Sequence, residues 1–240
     1  MKLHVLPGDA TVATFKEANI DGEIAVCREA LIEGDVSGDT LAAFWANRAA
    51  FNTSAHGETT GGYLESVAGE LEKLLSVSEG DTGYLWFEYE LFCQVNYWFC
   101  LDLLKATAAY VFRVSPIIRQ DADKWMGFGS LTADDLKSCF AARIQVSADD
   151  IKRGSELWQA YRTGDADGLR KLAGSGSSAF PMLAETVEAA IAKDERPRAI
   201  LREIVDEGID DFARTFEEFS KRAGVYGYGD AQVRRILNDL

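Results

Sequence analysis

The pattern of apolar and polar residues divides the chain into two parts. Up to Pro116, short β-rich runs alternate with segments whose apolar residues recur at helical spacing. Four strands are predicted there, at residues 2–6, 23–27, 83–87 and 109–114. After Pro116 the helical spacing continues without a convincing strand. This pattern predicts an α/β fold: a small, largely parallel, Rossmann-like sheet in residues 1–116, and an all-helical half in residues 117–240 packed on it or extending it.

Capping residues fix several of the predicted helices. Asp39 is expected to cap the second helix, Thr132 the first helix of the second half, and Ser147 begins the next one. In the first half the helices are predicted at about residues 10–18, 40–53, 63–75 and 90–107. Later ones are predicted at about 166–173, 181–192, 197–207, 210–222 and 230–240.

Composition narrows the classes of function. A chain of 240 residues with 47% hydrophobic content can form a packed core, and a net charge of −14 disfavours a phosphate backbone, so no nucleic-acid partner is expected. Apolar runs are too short to span a membrane, and residues 1–9 are too short for a signal peptide, so we expect a cytoplasmic protein. The four cysteines are predicted to be core thiols, and with two histidines they show no spacing suited to zinc. His4, inside the first strand, is predicted to be a core histidine with satisfied nitrogens.

The stretch from Leu85 to Trp98 has the most unusual pattern in the chain. It passes from a predicted strand into a helix, and it places Glu88 and Glu90 among aromatic, core-type residues. Burying an unpaired carboxylate costs several kcal/mol, so both side chains should reach solvent, a cation or a ligand. Paired acids at a sheet edge suit a divalent cation or acid–base chemistry. The alternative is one acid that favours the helix dipole and one that is merely solvated.

The other predicted strands also end in polar residues. The carboxyl ends of strands in an open parallel sheet lie at one edge, where ligands bind. That edge would collect Gly8 and Asp9, Arg28 and Glu29, Glu88 and Glu90, Arg113 and Ser115, with Gln94 one helical turn further on. The candidate catalytic residues are Asp9, Glu29, Glu88 and Glu90. The Arg28 fork suits a carboxylate or phosphate. Asp9 as a helix cap and Arg28–Glu29 as an ordinary surface pair are the alternatives.

These motifs together resemble a bacterial family catalogued as domain of unknown function eighteen thirty-five. The resemblance rests on residues 4–9, 28–34, 85–94, 128–131, 142–143, 158–162 and 179–183, and it covers most of the chain to about residue 190. It implies that the residues at the strand ends are signature positions, and it adds Arg48 as a further arginine. The chain departs from the family pattern at Asp35, where proline is usual, and at Glu90 and Cys93, which often hold aspartate.

Two classes of function follow from the sequence. In the first, the protein binds or processes a small anionic ligand, phosphorylated or nucleotide-like, at the carboxyl edge of the sheet. Gly8, Asp9, Arg28, Arg48 and Gln94 are the predicted ligand-binding residues. The second class is a non-catalytic regulatory or protein-interaction module that uses the helical half. The sequence leaves open whether catalysis takes place, and it identifies no cofactor and no oligomeric state.

Overall fold

The computed structural model describes residues 1–174 and 176–240, and it contains a five-stranded sheet. The strands are β1 (Lys2–Leu6), β2 (Glu23–Val26), β3 (Thr82–Trp86), β4 (Tyr110–Val114) and β5 (Ile144–Val146). Their order in the sheet is β2-β1-β3-β4-β5; the first four run parallel and β5 runs antiparallel to β4. The predicted α/β fold with a largely parallel sheet is confirmed, and the carboxyl ends of β1 to β4 lie at one edge.

The helices of the first part connect the parallel strands. They are α1 (Val12–Ala18), α2 (Leu41–His56), α3 (Thr60–Tyr63), α4 (Gly69–Glu72) and α5 (Leu91–Leu103). A 3-10 turn at Asp9–Thr11 precedes α1, a π-helical segment at Leu64–Ala68 joins α3 to α4, and a 3-10 turn at Lys73–Ser76 follows α4. These breaks replace the single helix predicted over residues 63–75.

The later helices confirm the helical character of the second part. They are α6 (Ala133–Ala141), α7 (Ala148–Thr163), α8 (Ala166–Ala173), α9 (Leu183–Ala192), α10 (Arg196–Asp206), α11 (Phe212–Ala223) and α12 (Asp230–Asn238). Thr132 and Ser147 cap α6 and α7 as predicted, each in a reciprocal capping box. No helix among the described residues is both long and apolar enough to cross a membrane.

Two further sequence predictions about the elements were wrong. A strand does follow Pro116, since β5 pairs with the edge of β4 and buries Val146. Three residues are too few to show a period, and this strand is fixed by its pairing partner rather than by local pattern. Asp39 does not cap α2: the Thr40 hydroxyl accepts the hydrogen bond from the Ala43 amide instead.

The two faces of the sheet are covered unequally. Helices α1 and α6 cover one face, over a small core that includes Phe15 and Trp86. The other face carries α5, which is buried over most of its length and packs against α7. Helices α9 to α12 and the turn at Gly224–Tyr226 complete this larger core. A helix that is apolar all round is expected where other helices enclose it.

His4 lies in the smaller core and is satisfied there, as predicted. Its Nδ1 accepts a hydrogen bond of 3.1 Å from the Trp86 indole, and its Nε2 lies 3.1 Å from the carbonyl oxygen of Asp21. Since an indole can only donate, the proton of the neutral ring is on Nε2 and points to the carbonyl. Burial lowers the pKa of His4 to about 4, so the ring is neutral at physiological pH.

Candidate functional site

The loop after β2 is fixed by a buried ion pair. The carboxylate of Glu29 accepts hydrogen bonds from Arg48 Nε at 3.1 Å and Nη2 at 2.7 Å, and also from the Tyr63 hydroxyl. The remaining Arg48 donors bind three loop carbonyls, those of Ala30, Glu33 and Asp35. Burial and the adjacent Glu29 carboxylate raise the pKa of the Tyr63 hydroxyl well above its usual range. Both charges are therefore paired within the protein, and the guanidinium of Arg48 has no face left for a ligand.

Asp9 and Arg28 form a second ion pair at the same edge of the sheet. Arg28 donates from Nε and Nη2 to the two oxygens of Asp9, at 2.8 and 2.7 Å, and from Nη1 to the carbonyl of Ser66. The hydrogen bonds from Arg28 hold the pKa of the Asp9 carboxyl below its usual range. Asp9 therefore engages an arginine rather than capping α1, whose N-cap makes no side-chain hydrogen bond. The partner of Arg28 is Asp9 and not Glu29.

Glu88 and Glu90 lie between the end of β3 and the start of α5. One oxygen of Glu88 accepts the backbone N–H of Phe128 at 2.6 Å, and one oxygen of Glu90 accepts the backbone N–H of Cys93 at 3.1 Å as the N-cap of α5. Glu90 is 5% exposed, and its Oε2 is buried without a hydrogen-bond partner in the described part of the chain. Of the three outcomes expected for these acids (solvent, a cation or a ligand), burial excludes solvent for Glu90, and its second oxygen is left without a hydrogen-bond partner among the described residues.

Cys93 completes a cluster with these two acids. Its Sγ lies 3.8 Å from Glu88 Oε2, and one ligand atom from each of Glu88, Glu90 and Cys93 can be chosen so that all three lie within 4.8 Å of one another. Burial raises the pKa of Glu88, and burial followed by the charge of Glu88 raises the pKa of Glu90 far more. The pKa of the Cys93 thiol is raised for the same reasons, with burial first. Burial therefore favours the protonated form of all three groups.

Arg113 and Gln94 support the backbone beneath this cluster. Arg113 is fully buried; its Nη1 donates to Gln94 Oε1 at 3.2 Å and to the carbonyl of Ala179 at 2.9 Å, and its Nε donates to Ser115 Oγ at 2.8 Å. Gln94 in turn donates to the carbonyl of Glu88. Within the described part of the chain Arg113 forms no ion pair, and desolvation lowers its pKa. A buried positive charge is thus held next to the acidic cluster.

A cleft of about 810 Å³ opens above Glu88 and Glu90. Its walls are aromatic and come from the second half of the chain: Trp125, Phe216, Phe219 and Tyr228. Lys221 lies at the same cleft and pairs with Glu217 at 2.9 Å and Glu218 at 3.0 Å. Helix α11 and the following turn therefore close one side of a site whose floor comes from the loop between β3 and α5.

Two glycines bring the backbone close against the two carboxylates. A β-carbon added at Gly127 would lie 1.8 Å from Glu88 Oε1, and one added at Gly227 would lie 2.3 Å from Glu90 Cγ. Gly227 also has φ +68°, a conformation that favours glycine. Any larger residue at either position would displace an acid of the cluster.

The structure separates the predicted site residues into three groups. Glu88 and Glu90 line the cleft, and Gln94 supports them from α5. Asp9 and Arg28 form the exposed ion pair, and Gly8 directly precedes Asp9 in the chain. Glu29 and Arg48 form the buried ion pair. Asn96 of α5 ties the loop after β2 to this helix, since it donates to the carbonyl of Glu29 and accepts from the amide of Leu31.

Sequence reasoning missed Cys93 and every wall residue from the second half of the chain. Cys93 follows Glu90 by three residues, one helical turn, and this spacing could have placed it beside the acids. The alternation of glycine with aromatic residues in 224–229 was a second signal, because such a segment brings backbone close to a neighbour. The long separation of Trp125 and Lys221 from the acids left no local signal.

Fold and site together define an α/β protein with a mostly parallel sheet and an acidic cleft at the carboxyl edge of that sheet. Comparison of the chain with protein-family models, curated proteins and solved structures returns no match. Any function must therefore be argued from the site itself.

Proposed function

We propose that the protein binds or processes a small ligand in the cleft at the carboxyl edge of the sheet. The observation that carries this proposal is the pair of largely buried carboxylates, Glu88 and Glu90, at the floor of a cleft of about 810 Å³ with aromatic walls. Concave sites that combine apolar walls with a few convergent polar groups are the usual form of small-molecule sites. The position beyond the strand ends is also where open parallel sheets bind their ligands.

The ligand class we propose is an anionic, phosphorylated or nucleotide-like compound. Trp125 and Tyr228 offer flat faces for a ring, and Lys221 offers a positive charge at the same cleft. Arg28 and Arg48, the arginines predicted to hold the anion, are held by Asp9 and Glu29 instead. Lys221 is likewise paired, with Glu217 and Glu218, so an anionic group in this cleft would have to displace those acids from Lys221 or bind together with a cation that offsets the charge of the acids.

The geometry gives less support to an interaction module. The large exposed apolar side chains after Pro116, within the described residues, are Ile118, Met126, Val205 and Leu240. They belong to different segments, and an apolar docking site needs a contiguous patch. That second class of function, like membership in the uncharacterised family that the sequence motifs resemble, stays a prediction.

A binding screen with a cleft-blocking variant tests the proposal. Thermal unfolding would be followed with nucleotides, sugar phosphates and their unphosphorylated counterparts, each with and without a divalent cation. Ser220 is exposed on α11 and lines the cleft, so Ser220→Trp should fill the cleft without disturbing the core. We expect at least one phosphorylated compound to raise the melting temperature of the natural protein and to have no effect on this variant.

Ser54→Trp is the matched control, because Ser54 is an exposed helical serine of α2 outside the cleft. This variant should respond to ligands as the natural protein does. The proposal fails if no compound in the screen shifts the melting temperature. It also fails if the shift persists unchanged in Ser220→Trp.

A further inference from the structure

We infer that Glu88, Glu90 and Cys93 form a binding site for one divalent transition-metal ion, with zinc as the best-fitting ion. This inference deepens the proposed function, since it names a cation at the floor of the same cleft. Each residue contributes one ligand atom, and these three atoms lie within 4.8 Å of one another. With zinc–oxygen distances of about 2.1 Å and a zinc–sulfur distance of about 2.3 Å, side-chain shifts of roughly 1 Å would close the set around an ion.

The two oxygens of each carboxylate have different surroundings, and this arrangement supports a metal site. Glu88 Oε1 accepts the Phe128 amide, which leaves Oε2 on the side of the Cys93 thiol. Glu90 Oε1 accepts the Cys93 amide, which leaves Oε2 free. In each residue one oxygen is thus oriented by the backbone; the other accepts only the weak Cys93 S–H hydrogen bond in Glu88, which a metal-bound thiolate would release, and has no partner in Glu90. Carboxylates that ligate metals are commonly held in this way by hydrogen bonds to the oxygen that does not bind the metal.

The unpaired oxygen of Glu90 is an independent observation. The Glu90 residue is only 5% exposed, and its Oε2 has no hydrogen-bond partner in the described part of the chain. An unpaired buried carboxylate oxygen is costly, and buried polar groups are ordinarily satisfied. The same residue lines the cleft, so a cation that enters the cleft reaches this oxygen. A metal ion supplies the partner that the protein does not.

Charge balance favours a divalent ion in particular. With both acids and the thiol ionised, the three ligands carry three negative charges. Arg113, buried below them and bound to the Glu88 carbonyl at 3.4 Å, contributes one positive charge and forms no ion pair within the described residues. A divalent cation brings the sum of these charges to zero, whereas a monovalent cation leaves it negative.

The donor set also selects among divalent ions. Magnesium and calcium prefer oxygen ligands and do not favour a thiolate. Zinc accepts thiolate and carboxylate together, and zinc sites that act on substrates typically have three protein ligands and one open position. Three protein ligands on the floor of a cleft leave the open side toward a bound small molecule.

The test uses cobalt as a spectroscopic substitute for zinc in the chain of 240 residues. Addition of Co²⁺ alone should produce a thiolate-to-cobalt charge-transfer absorption that saturates at one ion per chain, and Zn²⁺ should displace it. Cys93→Ser should abolish this absorption, and Glu90→Gln should weaken Zn²⁺ binding roughly tenfold or more, since loss of an outer-sphere partner alone costs 10–100-fold. The Zn²⁺ affinity would be measured by competition with a chromophoric chelator.

Cys100→Ser is the matched control, because Cys100 is an equally buried thiol on the same helix, outside the cluster. It should retain both the absorption and the Zn²⁺ affinity. The inference is overturned if the natural protein takes up neither ion, or if the absorption survives in Cys93→Ser. Loss of the absorption in Cys100→Ser with its retention in Cys93→Ser would also overturn it, by assigning the thiolate to another residue.

The metal titration and the ligand screen fail independently. Uptake of Co²⁺ by the protein without any shift from the phosphorylated compounds would retain the metal site and remove the proposed function. If a compound stabilises the natural protein but not Ser220→Trp, and the natural protein takes up no metal, the proposed function is retained and the metal site is removed.

Discussion

Two glutamates that follow β2 and β3, the strands on either side of β1, are buried to nearly the same degree and yet differ in their hydrogen-bond partners. Glu29 is 2% exposed and Glu90 is 5% exposed. Glu29 has a guanidinium and a tyrosine hydroxyl on its carboxylate, whereas Glu90 receives one backbone hydrogen bond and keeps an unpaired oxygen. Glu29 is thus tied to its own loop, and Glu90 faces a cleft.

This difference separates an acid with a structural role from the acid that we propose meets a ligand. An ion pair that is enclosed and fully hydrogen-bonded fixes the loop after β2, and removal of either partner leaves a buried charge. A buried acid with an unpaired oxygen does not hold a loop in this way. It is instead a candidate to bind a ligand. We therefore expect substitutions at Glu29 and its partner Arg48 to lower stability more than a substitution at Glu90.

The largest effect is expected from Arg48→Met. It leaves the Glu29 carboxylate buried without its cation and should lower the free energy of unfolding by about 3–5 kcal/mol. Urea denaturation measures this change. Arg28→Met is the control, because it breaks an ion pair that is partly solvent-exposed and should cost about 0–1 kcal/mol. Equal losses in the two variants would contradict the distinction between them.

The next effect concerns His4, which is satisfied only while it is neutral. Its pKa is about 4 in the folded protein against about 6.5 when unfolded, so the unfolded chain takes up a proton first as the pH falls. Stability should therefore decline between pH 6.5 and 4, by up to about 3 kcal/mol, and this contribution should level off below pH 4.

The contribution of His4 is obtained from the difference between the natural protein and His4→Gln, measured by urea denaturation across this range. The variant should have the shallower pH dependence, because it lacks the imidazole. The carboxyl groups titrate in both proteins, so their contribution cancels in the difference. Parallel curves would show that His4 does not titrate as proposed.

A smaller effect is expected from the backbone that covers Glu90. Gly227→Ala and Gly164→Ala both place alanine in the left-handed region, at φ +68° and +70°, which costs about 1–2 kcal/mol. The new methyl group would collide with Glu90 only at Gly227, since nothing lies within 4 Å of a β-carbon at Gly164. Gly227→Ala should therefore lose roughly 1–3 kcal/mol more than Gly164→Ala. It should also bind Zn²⁺ more weakly, whereas Gly164→Ala should not.

The smallest effect on stability is expected from Glu90→Gln. The substitution keeps the oxygen that accepts the Cys93 amide and replaces only the one that has no partner. In the presence of a chelator the free energy of unfolding should change by about 1 kcal/mol or less. Glu29→Gln, measured in parallel, should cost several times more because it removes one charge of the buried pair. A loss above about 2 kcal/mol for Glu90→Gln would assign Glu90 to the structural class.

The sequence by itself determined the elements whose signal is local. Alternating β-rich runs gave the parallel strands, and Thr132 and Ser147 gave two helix starts, because a strand's period and a helix cap depend on neighbouring residues. The local pattern also predicted the edge of the sheet at which Glu88 and Glu90 lie, since the carboxyl ends of parallel strands lie at the same edge.

Only the tertiary structure decided which of those residues belong together. Arg28 pairs with Asp9 and Arg48 with Glu29, and each pair joins residues 19 positions apart in sequence. The three-residue strand β5 exists because β4 offers it a free edge. Burial of Glu90 by Gly227 depends on a contact between residues more than one hundred positions apart, and local pattern does not identify the partner in such a contact. Local periodicity therefore predicted where the acids are, and long-range packing decided that one of them has an unpaired oxygen.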